Sequence, residues 1–196
     1  MNFAESLQAA LTARTVHTVA EWEARPAAVL VPLYQHDGEW HLLFTQRTDH
    51  VDEHKGQVAF PGGKIDPEDE SPTAAALREA EEEIGLRRGD VAVIGRLDDL
   101  ITVTQWRITP VVGVFPYPYK FVINPKECSA VFGVPLAWLA DPANLERRYR
   151  QPPAGGPPVP VYYFKDWDGH IIWGATARMT RMLLGVIDKM DGGAKR

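Results

Sequence analysis

Cysteine is almost missing from the 196-residue chain, with Cys128 as its single copy. A lone thiol excludes an intramolecular disulfide and a cysteine-rich zinc site, and it fits a reducing, cytoplasmic setting. No histidine base stands near it in sequence, so Cys128 reads as a small packed hydrophobe and not as a nucleophile. Long hydrophobic runs are missing too. With no stretch of about 18 apolar residues, neither a transmembrane helix nor a membrane partner is expected. The opening segment, MNFAESLQAALTARTVHTVAEWEARP, lacks the charged start and apolar centre of a signal peptide. It reads instead as a short amphipathic helix ending near Arg14. Positive charge is also in deficit: 21 Lys and Arg face 26 Asp and Glu, a net charge of −5. That balance argues against a nucleic-acid partner, which selects a basic surface. It leaves room for a phosphorylated small molecule when cations bridge the two.

What is present is the composition of an ordinary globular chain, 45% hydrophobic and 24% charged. We expect one domain over residues 1–196, with residues 1–25 as a helical extension. Ala27 to Tyr34 and Trp40 to Arg47 read as strands around an Asp37-Gly38 turn. Thr48 to Val58 reads as a polar loop. The turn-formers Phe60-Pro61-Gly62-Gly63 follow, and Lys64 to Glu70 continues the loop. Ser71-Pro72 is a helix start, and the helix stops at Gly85. Val91 to Leu97 and Trp106 to Phe115 read as strands. Pro116 to Lys126 is a loop with a short extended piece at Phe121 to Ile123, and Pro135 begins a short helix. Gln151 to Pro160 is an exposed Pro- and Gly-rich connection. It leads to a hairpin of Val161 to Phe164 with His170 to Trp173, then a last helix from Ala175 to about Met190. Mixed strands with few helices predict an α+β fold or a layered α/β/α arrangement.

Acidic residues crowd between positions 66 and 83. On the helix from Pro72 to Ile84, Leu77, Ala80 and Ile84 share one arc that can pack on a sheet. Glu79, Glu82 and Glu83 stand at i, i+3 and i+4 on nearly the opposite arc. Such a cluster repels itself unless something neutralises it, and hard divalent cations such as Mg²⁺ or Mn²⁺ take oxygen ligands of this kind. Taken alone, the helix is equally readable as a solvated acidic surface.

The segment GKIDPEDESPTAAALREAEEEIGL, Gly63 to Leu86, resembles the Nudix box, Gly-x5-Glu-x7-Arg-Glu-U-x-Glu-Glu-x-Gly-U with U aliphatic. The loop and helix of the box then span 62–86, and the fold expected is the Nudix α/β/α sandwich with a mixed sheet. Two departures stand in it: Ala80 is small for its aliphatic position, and the first acid of the pattern falls to either Asp69 or Glu70. The resemblance implies Glu79, Glu82 and Glu83 as ligands of Mg²⁺ or Mn²⁺, joined by the carbonyl of Gly63. It also implies that Arg78 orients a glutamate of the cluster. The general base varies within the superfamily; Glu82, Glu83 and Glu127 are the candidates here.

A second resemblance concerns the substrate. LFTQRTDHVDEHKGQVAFPGG, Leu43 to Gly63, is similar to the Leu-Leu-Thr-x-Arg-(Ser/Ala)-x3-Arg-x3-Gly-x3-Phe-Pro-Gly-Gly motif of coenzyme A pyrophosphatases within the superfamily. TPVVGV, NPKECSAVFGVPL and HIIWGATA also look like segments of that subfamily. It implies a nucleotide diphosphate substrate, coenzyme A or a derivative. Arg47, Lys55 and Gly62 are then candidate substrate contacts. Arg107 is a further candidate for a phosphate, while Trp106 reads first as packing within its strand and second as a stacking platform for a base. Asp52 stands where the motif has Arg, a reversed charge that His50, His54 and Lys55 can offset. ADP-ribose, NADH or a dinucleoside polyphosphate are the alternative substrates, and a non-catalytic nucleotide sensor is the alternative class. The intact Arg78, Glu79, Glu82 and Glu83 speak against a sensor. Oligomeric state is not legible in the sequence; a homodimer is one assembly compatible with it.

Overall fold

The computed structural model describes residues 2–19, 24–48, 56–151 and 155–193. Helix α1 (Phe3–Ala13) opens on a capping box, in which the Asn2 side chain accepts from the Glu5 backbone and the Glu5 carboxylate accepts from the Asn2 N–H. It buries Leu7 and Leu11. Strands β1 (Arg25–His36) and β2 (Glu39–Arg47) form the expected hairpin, with Asp37 and Gly38 at positive φ in its turn. Residues 27–34 of β1 are all buried, which requires cover on both faces of the sheet.

That cover comes from helices. β1 lies at the centre of an eight-stranded sheet, antiparallel to β2 and parallel to β7 (Trp106–Val114). β5 (Ala92–Arg96) and β6 (Leu100–Ile101) flank β7, while β3 (Val58–Ala59) and β8 (Cys128–Pro135) flank β2. On one face, α2 (Pro72–Ile84) lays Ala75, Ala76, Ala80 and Ile84 against Ala28, Leu30, Leu43 and Val111. The small Ala80 is fully buried, and its size lets the helix sit close to the strands. On the other face, α1 and α4 (Gly174–Gly193) close over Val29, Val31, Leu33, Leu42 and Phe44. The architecture is the expected α+β sandwich, α/β/α in layers around a mixed sheet. Burial of each large apolar side chain here stabilises by about 1.5–3 kcal/mol.

Two local expectations change, and two strands appear where no element is expected from the sequence. Gly62-Gly63-Lys64 is not a turn but strand β4 (Gly62–Lys64), paired antiparallel with Ala27 to Val29 of β1. A Cβ on Gly62 would lie 2.6 Å from Val29 Cα, so glycine is what permits this approach. Cys128 to Pro135 is a strand, although its small residues and Gly133 carry no alternation. LERRYR is also a strand, β9 (Leu145–Arg150), and it is the partner of β10 (Val159–Phe164) across the Pro-rich connection. The expected hairpin with His170 to Trp173 reduces to the bridge Tyr163–Trp173 and one bond from Phe164 N–H to the Ile172 carbonyl. Arginine stacked on aromatic faces, Arg148 over Tyr163 and Arg150 over Trp173, supports β9 in place of apolar alternation. No helix among the described residues is long and apolar enough to cross a membrane.

Candidate metal centre and active site

Helix α2 begins as its sequence requires: the Ser71 hydroxyl caps the Ala74 N–H, and Pro72 occupies the first turn. Its last turn ends at Gly85, φ 70°, whose N–H is bonded to the carbonyls of Ala80 and Glu81. The three box glutamates do not share one solvent-facing arc. Glu83 lies beside Ile84 in the interior, 2% exposed, while Glu79 is half-buried and Glu82 is exposed. The helix packs on β1 and β4, and Glu83 is on its buried side with Ala80 and Ile84.

Glu83 is a carboxylate with little compensation. Its oxygens accept the Gly62 N–H at 3.3 Å and approach Arg47 Nη1 at 3.6 Å. Burial pushes its ionisation up to about 8; Glu127 and Glu79 add to the push, against Arg47 and Gly62. Burial also raises Glu79, opposed by the bond from Arg78. The third member comes from outside α2. Glu127 stands just before β8, and oxygens of Glu79, Glu83 and Glu127 lie within 4.8 Å of one another. Asn124 Nδ2 donates to Glu127 Oε1 at 2.8 Å, and the Glu127 carbonyl accepts from Thr48 N–H at 3.0 Å. Three carboxylates this close, one of them buried, are a hard-oxygen donor set short of positive charge, which is what a divalent cation supplies.

Arg78 organises the rim of the cluster. It clamps Asp69 with two bonds, Nε at 3.0 Å and Nη2 at 2.8 Å, and donates to Glu79 at 2.9 Å and Glu82 at 3.3 Å. Nη2 also reaches the Lys64 carbonyl at 3.1 Å. This resolves the open first acid of the motif. Asp69 is the Arg78 partner, its side chain 7% exposed and its carboxyl held below the usual range by that bond, while Glu70 is exposed. Gly63 has its own reason: a Cβ there would lie 2.6 Å from the Glu79 carboxylate.

The fold therefore brings together Arg78, Glu79, Glu83, Glu127, Gly62, Gly63 and Arg47. It leaves the Glu82 carboxylate outside the trio, on the solvent side at Arg78. Gly62, expected on the substrate, spends its N–H on Glu83. Arg107 is used elsewhere, donating to the Val19 carbonyl at 2.7 Å, and Trp106 lies under Arg25 at 4.1 Å. Lys55, with His50, Asp52 and His54, lies outside the described residues. Cys128 is buried and its thiol is pushed up to about 12 by burial, so it is no nucleophile. Asp69 was one of two acids the motif left open, whereas Asn124 was not singled out from sequence. The Asn-Pro turn in NPKEC was the available signal for it.

Comparison with known proteins bears on the whole arrangement. The NUDIX domain family profile matches residues 24–156. This chain belongs to the Nudix family. A relative from Escherichia fergusonii named "Uncharacterized Nudix hydrolase NudL" is 40% identical over 167 residues, covering 81% of each chain. A relative of the same name from Escherichia coli K12 is also 40% identical over the same length. Among solved structures, a MutT/nudix family protein from Enterococcus faecalis has TM-score 0.53 at 13% identity, covering 98% of this chain and 70% of that one. A MutT protein from Methanosarcina mazei has TM-score 0.50 at 17% identity, covering 90% and 100%. At such identities these two likenesses speak for the Nudix fold alone.

Proposed function

We propose that this Nudix protein is a metal-dependent pyrophosphohydrolase that cuts the diphosphate linkage of coenzyme A or its derivatives. The products are 4′-phosphopantetheine, or its acylated form, and adenosine 3′,5′-bisphosphate. The observation that carries the reaction class is the Glu79, Glu83 and Glu127 trio, a donor set that includes the buried Glu83 and is suited to Mg²⁺ or Mn²⁺. Glu79, Glu83 and Glu127 hold the cation, with the Gly63 carbonyl and the exposed Glu82 at the rim as further oxygen donors. A bound divalent cation screens phosphate charge and lowers the pKa of bound water.

The remaining parts follow from the chain's own groups. Arg78, clamped by Asp69, holds Glu79 in orientation. Arg47 stands beside Glu83 with a buried Nε that has no acceptor among the described residues, a donor available to a phosphate oxygen. It opens on a recess shared with Gln46, Ile123, Pro125 and Ser129. The proton of the attacking water goes to Glu127 or to Glu82, since Glu83 is enclosed. The substrate choice rests on the Leu43 to Gly63 motif, whose Arg47 reaches the cluster and whose Gly62-Gly63 forms β4. Lys55 is a further proposed contact.

The test is a panel of coenzyme A, ADP-ribose, NADH and a diadenosine polyphosphate with Mg²⁺ or Mn²⁺, products separated by chromatography. Coenzyme A should be turned over with the highest kcat/KM. Faster turnover of ADP-ribose overturns the substrate, and no turnover of any of them overturns the enzyme reading in favour of a nucleotide sensor.

A further inference from the structure

Glu127 is separated from the helix glutamates by more than forty residues, and something must aim it. Asn124 is bonded in a way that does this. Its N–H donates to the Glu83 carbonyl at 2.8 Å, which pins it to the C-terminal turn of α2. Two residues earlier, Val122 N–H donates to the Ile84 carbonyl at 2.9 Å, so the segment is tied along the helix end at two points. The Asn124 carbonyl accepts from Glu127 N–H at 3.1 Å and Cys128 N–H at 2.9 Å, closing the turn that leads into β8. Its side chain then divides its two functions. Oδ1 accepts from Lys126 N–H at 3.2 Å, and Nδ2 donates to Glu127 Oε1 at 2.8 Å.

We propose that Asn124 is the positioning residue of the metal centre, coupling the Glu127 carboxylate to the end of the Nudix helix so that it faces Glu79 and Glu83. The inference rests on the reading of Glu79, Glu83 and Glu127 as the cation's ligands. An amide is the side chain the position demands. Aspartate keeps the acceptor for Lys126 but sets a carboxylate 2.8 Å from that of Glu127, where like charges repel. Alanine keeps neither bond. In this role Asn124 acts through Glu127, as groups that orient metal ligands do elsewhere.

The test is direct Mn²⁺ binding to the full chain, read from free Mn²⁺ by electron paramagnetic resonance, without substrate. Asn124→Ala and Asn124→Asp should each weaken binding about 10-fold or more, in the range typical of residues behind a ligand. In a Glu127→Gln background, Asn124→Ala should change Mn²⁺ affinity by less than about 2-fold, because the group it aims is already gone. Equal losses in both backgrounds would mean a general structural role and overturn the proposal. So would wild-type affinity in Asn124→Asp, which retains the turn acceptor and serves if the alanine variant does not fold. A chain that shows this pattern yet hydrolyses nothing in the panel would refute the enzymatic reading and leave the role of Asn124 standing.

Discussion

Replacing Glu83 by its uncharged isostere, Glu83→Gln, should stabilise the metal-free protein at high pH while removing a ligand of the proposed metal site. In the folded chain the Glu83 carboxyl titrates near 8, against 4.5 for the free group, chiefly because burial disfavours the anion. Below pH 4.5 the group is protonated in folded and unfolded chains alike and affects stability little. From 4.5 to 8 the unfolded chain has lost the proton and the folded chain keeps it, so stability falls across that window and levels off above it. At about 1.4 kcal/mol for each tenfold change in ionisation constant, the full cost is about 5 kcal/mol above pH 8. Relaxation and water entry reduce this, so Glu83→Gln should gain about 2–4 kcal/mol at pH 9, and under about 1 kcal/mol at pH 5. The assay is urea unfolding in EDTA at the two pH values, followed by tryptophan fluorescence. Excess Mn²⁺ should reverse the ranking, because only the wild type binds it strongly in the folded state. A variant no more stable than wild type at pH 9 in EDTA would refute the claim that Glu83 is an undercompensated buried acid.

Asp69→Asn should lower kcat/KM about 10–100-fold through loss of the clamp on Arg78, while Glu70→Gln should stay within about 2-fold; steady-state kinetics on the two distinguish the acids. Gly63→Ala should weaken Mn²⁺ binding about 10-fold by displacing the Glu79 carboxylate. Its urea midpoint should shift by no more than about 1 kcal/mol of stability, since only the end of a side chain must move. A variant with unchanged Mn²⁺ affinity would show that Glu79 does not need that space. Cys128 should react slowly with iodoacetamide at pH 8 in the native protein and quickly in urea, as expected of a buried thiol titrating near 12. Rapid native labelling would contradict that burial.

Much of this was readable before any coordinates. The run AAVLVPLY is apolar without alternation and became the central strand; the Ser71-Pro72 start and Gly85 stop bound α2 as written. These signals are local, and local rules of capping and burial suffice for them. Strands β8 and β9 are among those missed, and their local signal is weak. β8 breaks Val131, Phe132 and Val134 with small residues and β9 is rich in arginine, and they are strands because β2 and β10 offer hydrogen-bond partners.

The same division runs through the site. Helical spacing by itself determined that Glu79, Glu82 and Glu83 are close together, and the box around them determined the family. Tertiary structure alone decided which of the three is buried, because that depends on how α2 lies over β1 and β4. It also decided between Asp69 and Glu70, since a two-residue ambiguity in a loop is settled only by where Arg78 can reach. Glu127 was a candidate from sequence, but its place beside Glu79 and Glu83 follows from the pairing of β8 with β2. A carboxylate more than forty residues away joins the cluster through long-range backbone bonds, and periodicity within a segment cannot encode that.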